Sequence, residues 1–381
     1  MGAPSNDAFA IVVGTRPEAL KLAPVVLDLA RRGRRPLLVA TGQHRELLDG
    51  ALAAFGLAPD RDFGIMRSGQ APADVIGALV PVLARCFDEV QPAAVIVQGD
   101  TASAFAGAQA AAYARLPLAH VEAGLRSGDS EPFPEEMHRR LIGQLADLHF
   151  APTAAARAAL LAEGVTPGSV HVTGNTGIDA LRLMQARLRG DPALAAALAL
   201  RFGAVDRRRP LVLVTVHRRE NHGGRLAGVL AAVAALAAEA EIVMPLHPSP
   251  AVRAPALAAL GGVAGVHLLP PLDYAAFVWL MGQATLALTD SGGVQEEAPA
   301  IGLPVLVLRD VTERQEGVAS GNARLVGTDG AAIVAAARAL LADAGALRRM
   351  GEAALPYGVG DASRRIGDVL AARFGGSVAA E

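Results

Sequence analysis

Short, nearly unbroken apolar runs alternate along this chain with longer Ala- and Leu-rich stretches of helical period. The short runs predict strands at Ala10–Val13, Pro36–Ala40, Ala94–Gln98, Pro117–Val121, Leu148–Ala151 and Val170–Thr173. A second series predicts strands at Leu211–Thr215, Glu241–Leu246, Val266–Leu269, Leu286–Thr289, Pro304–Leu308 and Arg324–Val326. Strands apolar on both faces and separated by helices indicate parallel sheets covered on both sides. The two series echo each other. IVVGTR (Ile11 to Arg16) opens the first and LVTVHR (Leu213 to Arg218) the second, and IVQGDT (Ile96 to Thr101) is matched by ALTDSG (Ala287 to Gly292). The offset, roughly 190–200 residues, is the size of one doubly wound domain.

The expected fold class is therefore α/β, with two Rossmann-like doubly wound domains facing a central cleft. The boundaries expected are residues 1–173 for the first domain and 174–353 for the second, with a linker near Val172 to Ala180 and a C-terminal helix, about 354–381, packing back on the first. Ligands of open α/β sheets bind beyond the C-terminal strand ends. The residues that directly follow strands are thus the candidates for chemistry.

Composition narrows the classes. The chain of 381 residues carries a formal net charge of −2, which argues against nucleic acid or an anionic membrane as partner. Cys86 is the single cysteine, so no intrachain disulfide can form, and it reads as a buried, inert thiol. The N-terminal MGAPSN has no basic stretch followed by an apolar run, and the longest apolar runs are Ala-rich and flanked by charge. A cytoplasmic protein is expected. No Cys/His cluster has metal-ligand spacing, so no metal is expected. Among the 35 basic residues there is one lysine, Lys21.

Lys21 lies in GTRPEALKLAP (Gly14 to Pro24). Thr15 and Glu18 have capping-box spacing, and Pro17 suits a first helical turn. With Arg16 and Lys21 near it, this helix start would hold an anion; the alternative is a Glu18–Lys21 surface pair. In DSGGVQEE (Asp290 to Glu297), Gly292 and Gly293 let the backbone approach a ligand at a helix start, a phosphate cradle without the Walker or G-x-G-x-x-G pattern. The alternative is a turn capped by Ser291 or Asp290. Glu297 suits a ribose hydroxyl, and Arg314 a second phosphate oxygen. Asp100, Glu122 and one of Glu135 and Glu136 follow strands or loops of the first series. Gathered in one cleft they would repel, raising at least one pKa; taken singly, each could be a cap or a partner of Arg126 or Arg139. In VHRREN (Val216 to Asn221), His217 is a candidate acid or phosphate-binding cation, and His247 a weaker one.

Taken in order, GTRPEALKLAPV, VQGDT, HVEAGLRSGD, PFPEEMHR, TGNTGID, HRREN, DSGGVQEEAPAIGLPVLVLRD and TER closely resemble the non-hydrolysing UDP-N-acetylglucosamine 2-epimerases, from about Phe9 to Leu370. The resemblance implies a glycosyltransferase-B-like fold and interconversion of UDP-GlcNAc and UDP-ManNAc, with neither NAD nor an obligatory metal. It implies elimination of UDP, a 2-acetamidoglucal intermediate, and re-addition. Asp100, Glu122 and Glu136 match the family's catalytic carboxylates, and His217 the histidine that handles the leaving diphosphate. Arg16, Lys21, Ser291, Gly292, Gly293, Glu297 and Arg314 match substrate-binding positions. Gln43, His44, Gln70, Arg218 and His247 match the residues with which some members bind an activating second UDP-GlcNAc. Gly69 stands where some members carry a basic residue, and Leu272 replaces a substrate-contacting glutamine. A homodimer formed through the first domain is also implied. Competing readings are a relative acting on another UDP-sugar such as a diacetamido-uronic acid, a hydrolysing epimerase, a glycosyltransferase of the same fold, and a nucleotide-sugar sensor.

Overall fold

The first strand shows how the chain builds its core. Phe9, Ile11 and Val13 pack into one buried cluster, and Ala10 and Val12 into another on the opposite face. That period of two, with both faces apolar, is what a central parallel strand requires. The structure, a computed structural model, describes residues 7–42, 45–65, 69–130 and 132–375.

One sheet contains β1 (Ala8–Val13), β2 (Arg35–Ala40), β3 (Arg61–Asp62), β4 (Ala94–Gln98), β5 (Leu118–Val121), β6 (Leu148–Ala151) and β7 (Val170–Val172). Its order is β3-β2-β1-β4-β5-β6-β7, and every pairing is parallel. The second sheet contains β8 (Leu211–Thr215), β9 (Glu241–Pro245), β10 (Val266–Leu269), β11 (Leu286–Thr289), β12 (Val305–Val307) and β13 (Ala323–Leu325), in the order β10-β9-β8-β11-β12-β13. It too is wholly parallel. Each sheet reverses its strand order once, between β1 and β4 and between β8 and β11. Those switch points are where a doubly wound sheet opens a crevice for ligand.

The chain divides into two compact units. Residues up to Arg182, together with those from Tyr357 on, form the first; Leu183–Pro356 form the second. In the first unit, the Ala362–Phe374 helix sets Ile366 and Leu370 into the cluster that covers Phe9, Ile11 and Val13. Asp179 fixes the start of that helix by accepting from Ala362 N, Ser363 N and the Ser363 hydroxyl at 3.2, 2.8 and 2.6 Å. Cys86 is buried in the cluster on the other face. In the second unit, Val212 and Val214 face one core while Leu211 faces another. No single helix among the described residues is long and apolar enough to cross a membrane.

Candidate active site

At the β1/β4 switch point, the loop after β1 turns directly into the Arg16–Arg31 helix. Close approach makes Gly14 necessary there, because a Cβ would sit 2.0 Å from the Ser103 hydroxyl. Thr15 and Glu18 form the expected capping box. Glu18 is buried and collects four donors: Gly14 N at 3.0 Å, Thr15 N at 2.6 Å, the Thr15 hydroxyl at 2.7 Å and, from the loop after β4, the Thr101 hydroxyl at 2.6 Å. Burial raises its pKa against the pull of those donors. Glu18 is therefore no surface partner of Lys21, and that alternative is corrected.

Lys21, one turn further along, reaches Glu122 instead. Its ammonium lies 2.7 Å from both carboxylate oxygens. Glu122 follows β5 in left-handed backbone, with φ +64°. A non-glycine residue held there costs about 1–3 kcal/mol. Gln98, at the end of β4, also donates to the Glu122 carboxylate.

The third and fourth contributors come from the Glu135–Leu145 helix. Helical spacing brings Glu136 and Arg139 to the same side, and Arg139 bridges two acids. Its Nε lies 2.9 Å from Asp100 Oδ2, and its terminal nitrogen 3.1 Å from Glu136 Oε2. Glu136 further accepts from Ser127 N at 3.1 Å and from Arg140 at 3.0 Å. Glu136 is buried, whereas Glu135 is half-buried, so the structure distinguishes the two. Arg126 pairs with Glu163 rather than with a candidate acid.

These acids do not confront one another bare. Lys21 serves Glu122, and Arg139 serves Asp100 and Glu136. The buried carboxyl in this region with a resolved upward shift is Glu18, for which the sequence suggests only a capping box or a surface pair with Lys21. Gln98 is not among the sequence candidates; the sequence offers Arg139 as a partner for single acids, and it pairs with both Asp100 and Glu136. The spacing of Arg139 three residues after Glu136 is the one signal that pointed there.

The second unit repeats the arrangement at its own switch point, between β8 and β11. Asp290, fully buried, turns away from the helix it precedes. It accepts from His217 N at 3.0 Å, Arg218 N at 2.9 Å and the Asn221 amide at 2.9 Å, all in the loop after β8. Ser291 occupies the N-cap of the Gly292–Ala300 helix without a side-chain cap bond. Of the capping alternative, Ser291 does hold the N-cap position, but neither side chain caps the helix there: the carboxylate of Asp290 organises the histidine loop instead.

The His217 ring is half-buried, its Nε2 4.0 Å from Asp290 Oδ1 and its centroid 5.7 Å from that of His247. Burial lowers the His217 pKa, against the opposing pull of Asp290. Arg218 is pushed down by burial and by the charges of Arg309 and Arg314. Its Nε has no hydrogen-bond partner among the described residues. Arg314 packs its guanidinium on Gly292, where a Cβ would lie 2.8 Å from Cζ, and its Nε meets the buried Glu296 at 2.8 Å. Glu313 is raised by burial, but Arg309, 2.7 Å away, outweighs that and holds it at about 2. Glu297 and Gly293 are half-buried on the same helix. This unit thus presents histidine, arginines and a helix N-terminus together, which is what an anionic group requires.

Arg16 is half-buried at the start of its helix, Gln70 is half-buried in the first unit, and His247 is exposed in the second. Gln43 and His44 lie outside the described residues. Leu272 is buried in an apolar cluster with Phe202 and Leu280. Among the described residues, no group of three or more His, Cys, Asp or Glu side chains is arranged to hold a metal ion.

Known proteins match this frame over nearly its whole length. The family model for UDP-N-acetylglucosamine 2-epimerase matches residues 28–371. The UDP-N-acetylglucosamine 2-epimerase of Escherichia coli (strain K12) is 44% identical over 364 residues, which is 94% of this chain and 97% of that protein. The crystal structure of the Neisseria meningitidis UDP-GlcNAc 2-epimerase bound to UDP-GlcNAc superimposes with a TM-score of 0.91 at 39% identity, covering 95% of this chain and 99% of the other. The Methanocaldococcus jannaschii UDP-GlcNAc 2-epimerase, in complex with UDP-GlcNAc and UDP, gives a TM-score of 0.83 at 29% identity over 96% and 99%. On its sheet order, the residues after its strands and these likenesses, the chain belongs to the UDP-N-acetylglucosamine 2-epimerase family.

Proposed function

We propose that this protein is a non-hydrolysing 2-epimerase that interconverts UDP-GlcNAc and UDP-ManNAc. The observation that carries the reading is the set of three cation-paired carboxylates, Glu122 with Lys21 and Asp100 and Glu136 with Arg139, at the β1/β4 switch point. Family membership supplies the substrate class.

The hydrogen on sugar C2 is not next to a carbonyl, so direct deprotonation would be very costly. The proposed route couples two bond changes. A base removes the C2 proton, the electron pair forms a C1–C2 double bond, and the C1–oxygen bond to UDP breaks. The products held on the enzyme are 2-acetamidoglucal and UDP. A proton then returns to the opposite face of C2 while UDP re-adds at C1. Asp100, Glu122 and Glu136 are assigned the proton transfers at C2. His217, Arg314 and the amides of the Gly292–Ala300 helix are assigned the diphosphate, whose negative charge grows as C1–oxygen cleavage proceeds. Arg16, Ser291, Gly293 and Glu297 are assigned to binding.

Incubating the protein with UDP-GlcNAc in D2O containing EDTA, and following C2 by proton NMR, tests the reading. UDP-ManNAc carrying deuterium at C2 is expected. Free ManNAc would instead indicate a hydrolysing enzyme, and no exchange would remove the proposed substrate. A sigmoidal dependence of rate on UDP-GlcNAc would support the activator role carried over for Gln70, Arg218 and His247.

A further inference from the structure

Two buried histidines outside the proposed catalytic set touch the turn that carries Asp100. His120, on β5, places Nε2 2.8 Å from the carbonyl oxygen of Gly99. His138, in the Glu135–Leu145 helix, places Nδ1 2.9 Å from the carbonyl oxygen of Asp100 itself. A carbonyl oxygen only accepts, so the hydrogen must lie on Nε2 of His120 and on Nδ1 of His138. The two rings thus use opposite tautomers on consecutive carbonyls. Their remaining nitrogens, His120 Nδ1 and His138 Nε2, are buried with no hydrogen-bond partner among the described residues. The single donated bond is therefore what fixes each ring's polar edge. His138 also stacks on Phe105, with centroids 4.9 Å apart and planes at 22°.

We infer that His120 and His138 are positioning residues for Asp100, clamping the Gly99–Asp100 turn so that the carboxylate meets Arg139 and the reacting carbon. The inference rests on the proton-transfer role proposed above for Asp100. Gly99 has φ +69°, and the orientation of its carbonyl and the next sets where the Asp100 side chain points. The same helix holds Asp100 at both ends, His138 at the main chain and Arg139 at the carboxylate. Displacing a reacting group by about 1 Å costs on the order of 10²-fold in rate, so a loosened turn falls on kcat.

Amide isosteres separate the clamp from mere packing. The asparagine amide nitrogen occupies roughly the position of histidine Nδ1, and the glutamine amide nitrogen that of Nε2. His138→Asn should keep most of kcat while His138→Gln loses about tenfold or more, and His120→Gln should keep what His120→Asn loses. KM should change little in all four, and thermal melting identifies any variant that fails to fold. His138→Leu should cause no further loss when added to Asp100→Asn. Equal effects of Asn and Gln at both positions, or wild-type kcat in His138→Leu, would overturn the inference.

A crystallographic comparison separates this inference from the proposed activity. The Asp100–Arg139 contact should persist in His138→Asn and be broken in His138→Leu. A retained contact in His138→Leu overturns the clamp even if the wild-type enzyme epimerises as proposed. Absence of C2 exchange in the wild-type protein overturns the activity and with it the catalytic purpose of the clamp, whatever the contact does.

Discussion

Lys21 lies 2.7 Å from both oxygens of Glu122, so the chain's single lysine is spent on one carboxylate 101 positions away. A guanidinium can also pair with both oxygens of a carboxylate, but it is planar and wider than the compact ammonium that lies 2.7 Å from each. Lys21→Arg is therefore expected to fold and to lose activity. Lys21→Met removes the cation paired with Glu122 and should lose more. Steady-state kinetics with UDP-GlcNAc checks both; full activity in Lys21→Arg would show that any cation suffices.

Replacing the proposed proton carriers should lower turnover far more than binding. For Asp100→Asn, Glu122→Gln and Glu136→Gln, kcat should fall by about 10²–10⁴-fold, the usual worth of a positioned acid or base. UDP affinity measured by calorimetry should stay near wild type, because the diphosphate is assigned to the other unit. A parallel loss of UDP affinity would contradict that division.

Asp290 is expected to matter for stability as well as for binding. Asp290→Asn puts an amide donor among the donors of His217, Arg218 and Asn221, leaving at least one buried group unsatisfied at about 1–3 kcal/mol. Urea unfolding should register the loss, and KM for the UDP-sugar should rise as the histidine loop loosens.

Gly292→Ala tests the opposite case, a local change with little cost to the fold. Its Cβ would meet the Arg314 guanidinium at 2.8 Å, so the arginine must move. UDP affinity should fall while the melting temperature stays close to wild type.

Acid should weaken the fold through His120. Burial holds its pKa at about 3 in the folded protein, against 6.5 for the ordinary side chain. As pH falls from about 6.5 towards 3, the unfolded chain takes up a proton that the folded one refuses, and stability is lost. His120→Gln removes the titration and should flatten this part of the curve, measured as denaturation midpoints at pH 7 and pH 5.

The frame of the molecule is legible because its strands are buried on both faces, and each of the twelve strands expected, from Ala10–Val13 to Arg324–Val326, is found within a few residues. β3 is not among them, since two exposed residues, Arg61 and Asp62, carry no periodic signal. In the candidate site, the acids and His217 could be named from their places after strands. Arg139 could be offered as a partner for the acids, but Lys21 as the partner of Glu122 and the loop held by Asp290 could not. Asp290 holds a loop 73 residues away because β11 lies beside β8, and His138 reaches Asp100 across 38 residues. Such pairings are set by strand order, which local pattern does not encode. The burial that raises the Glu18 pKa was hidden for a related reason: it depends on the loop after β4 closing over the helix start, where Thr101 donates to Glu18.

The Ala362–Phe374 helix has a consequence for how the chain is made. Ile366 and Leu370 close the cluster over Phe9, Ile11 and Val13, yet they leave the ribosome only after all of Leu183–Pro356. The second unit is continuous and can complete its core as it emerges. The first must wait with an apolar face open through the synthesis of about half the chain, so the two units are completed in the order opposite to the one in which they begin. The nascent protein is therefore most exposed to aggregation and chaperone capture at its oldest segment, and a stop codon before residue 362 would leave that exposure permanent.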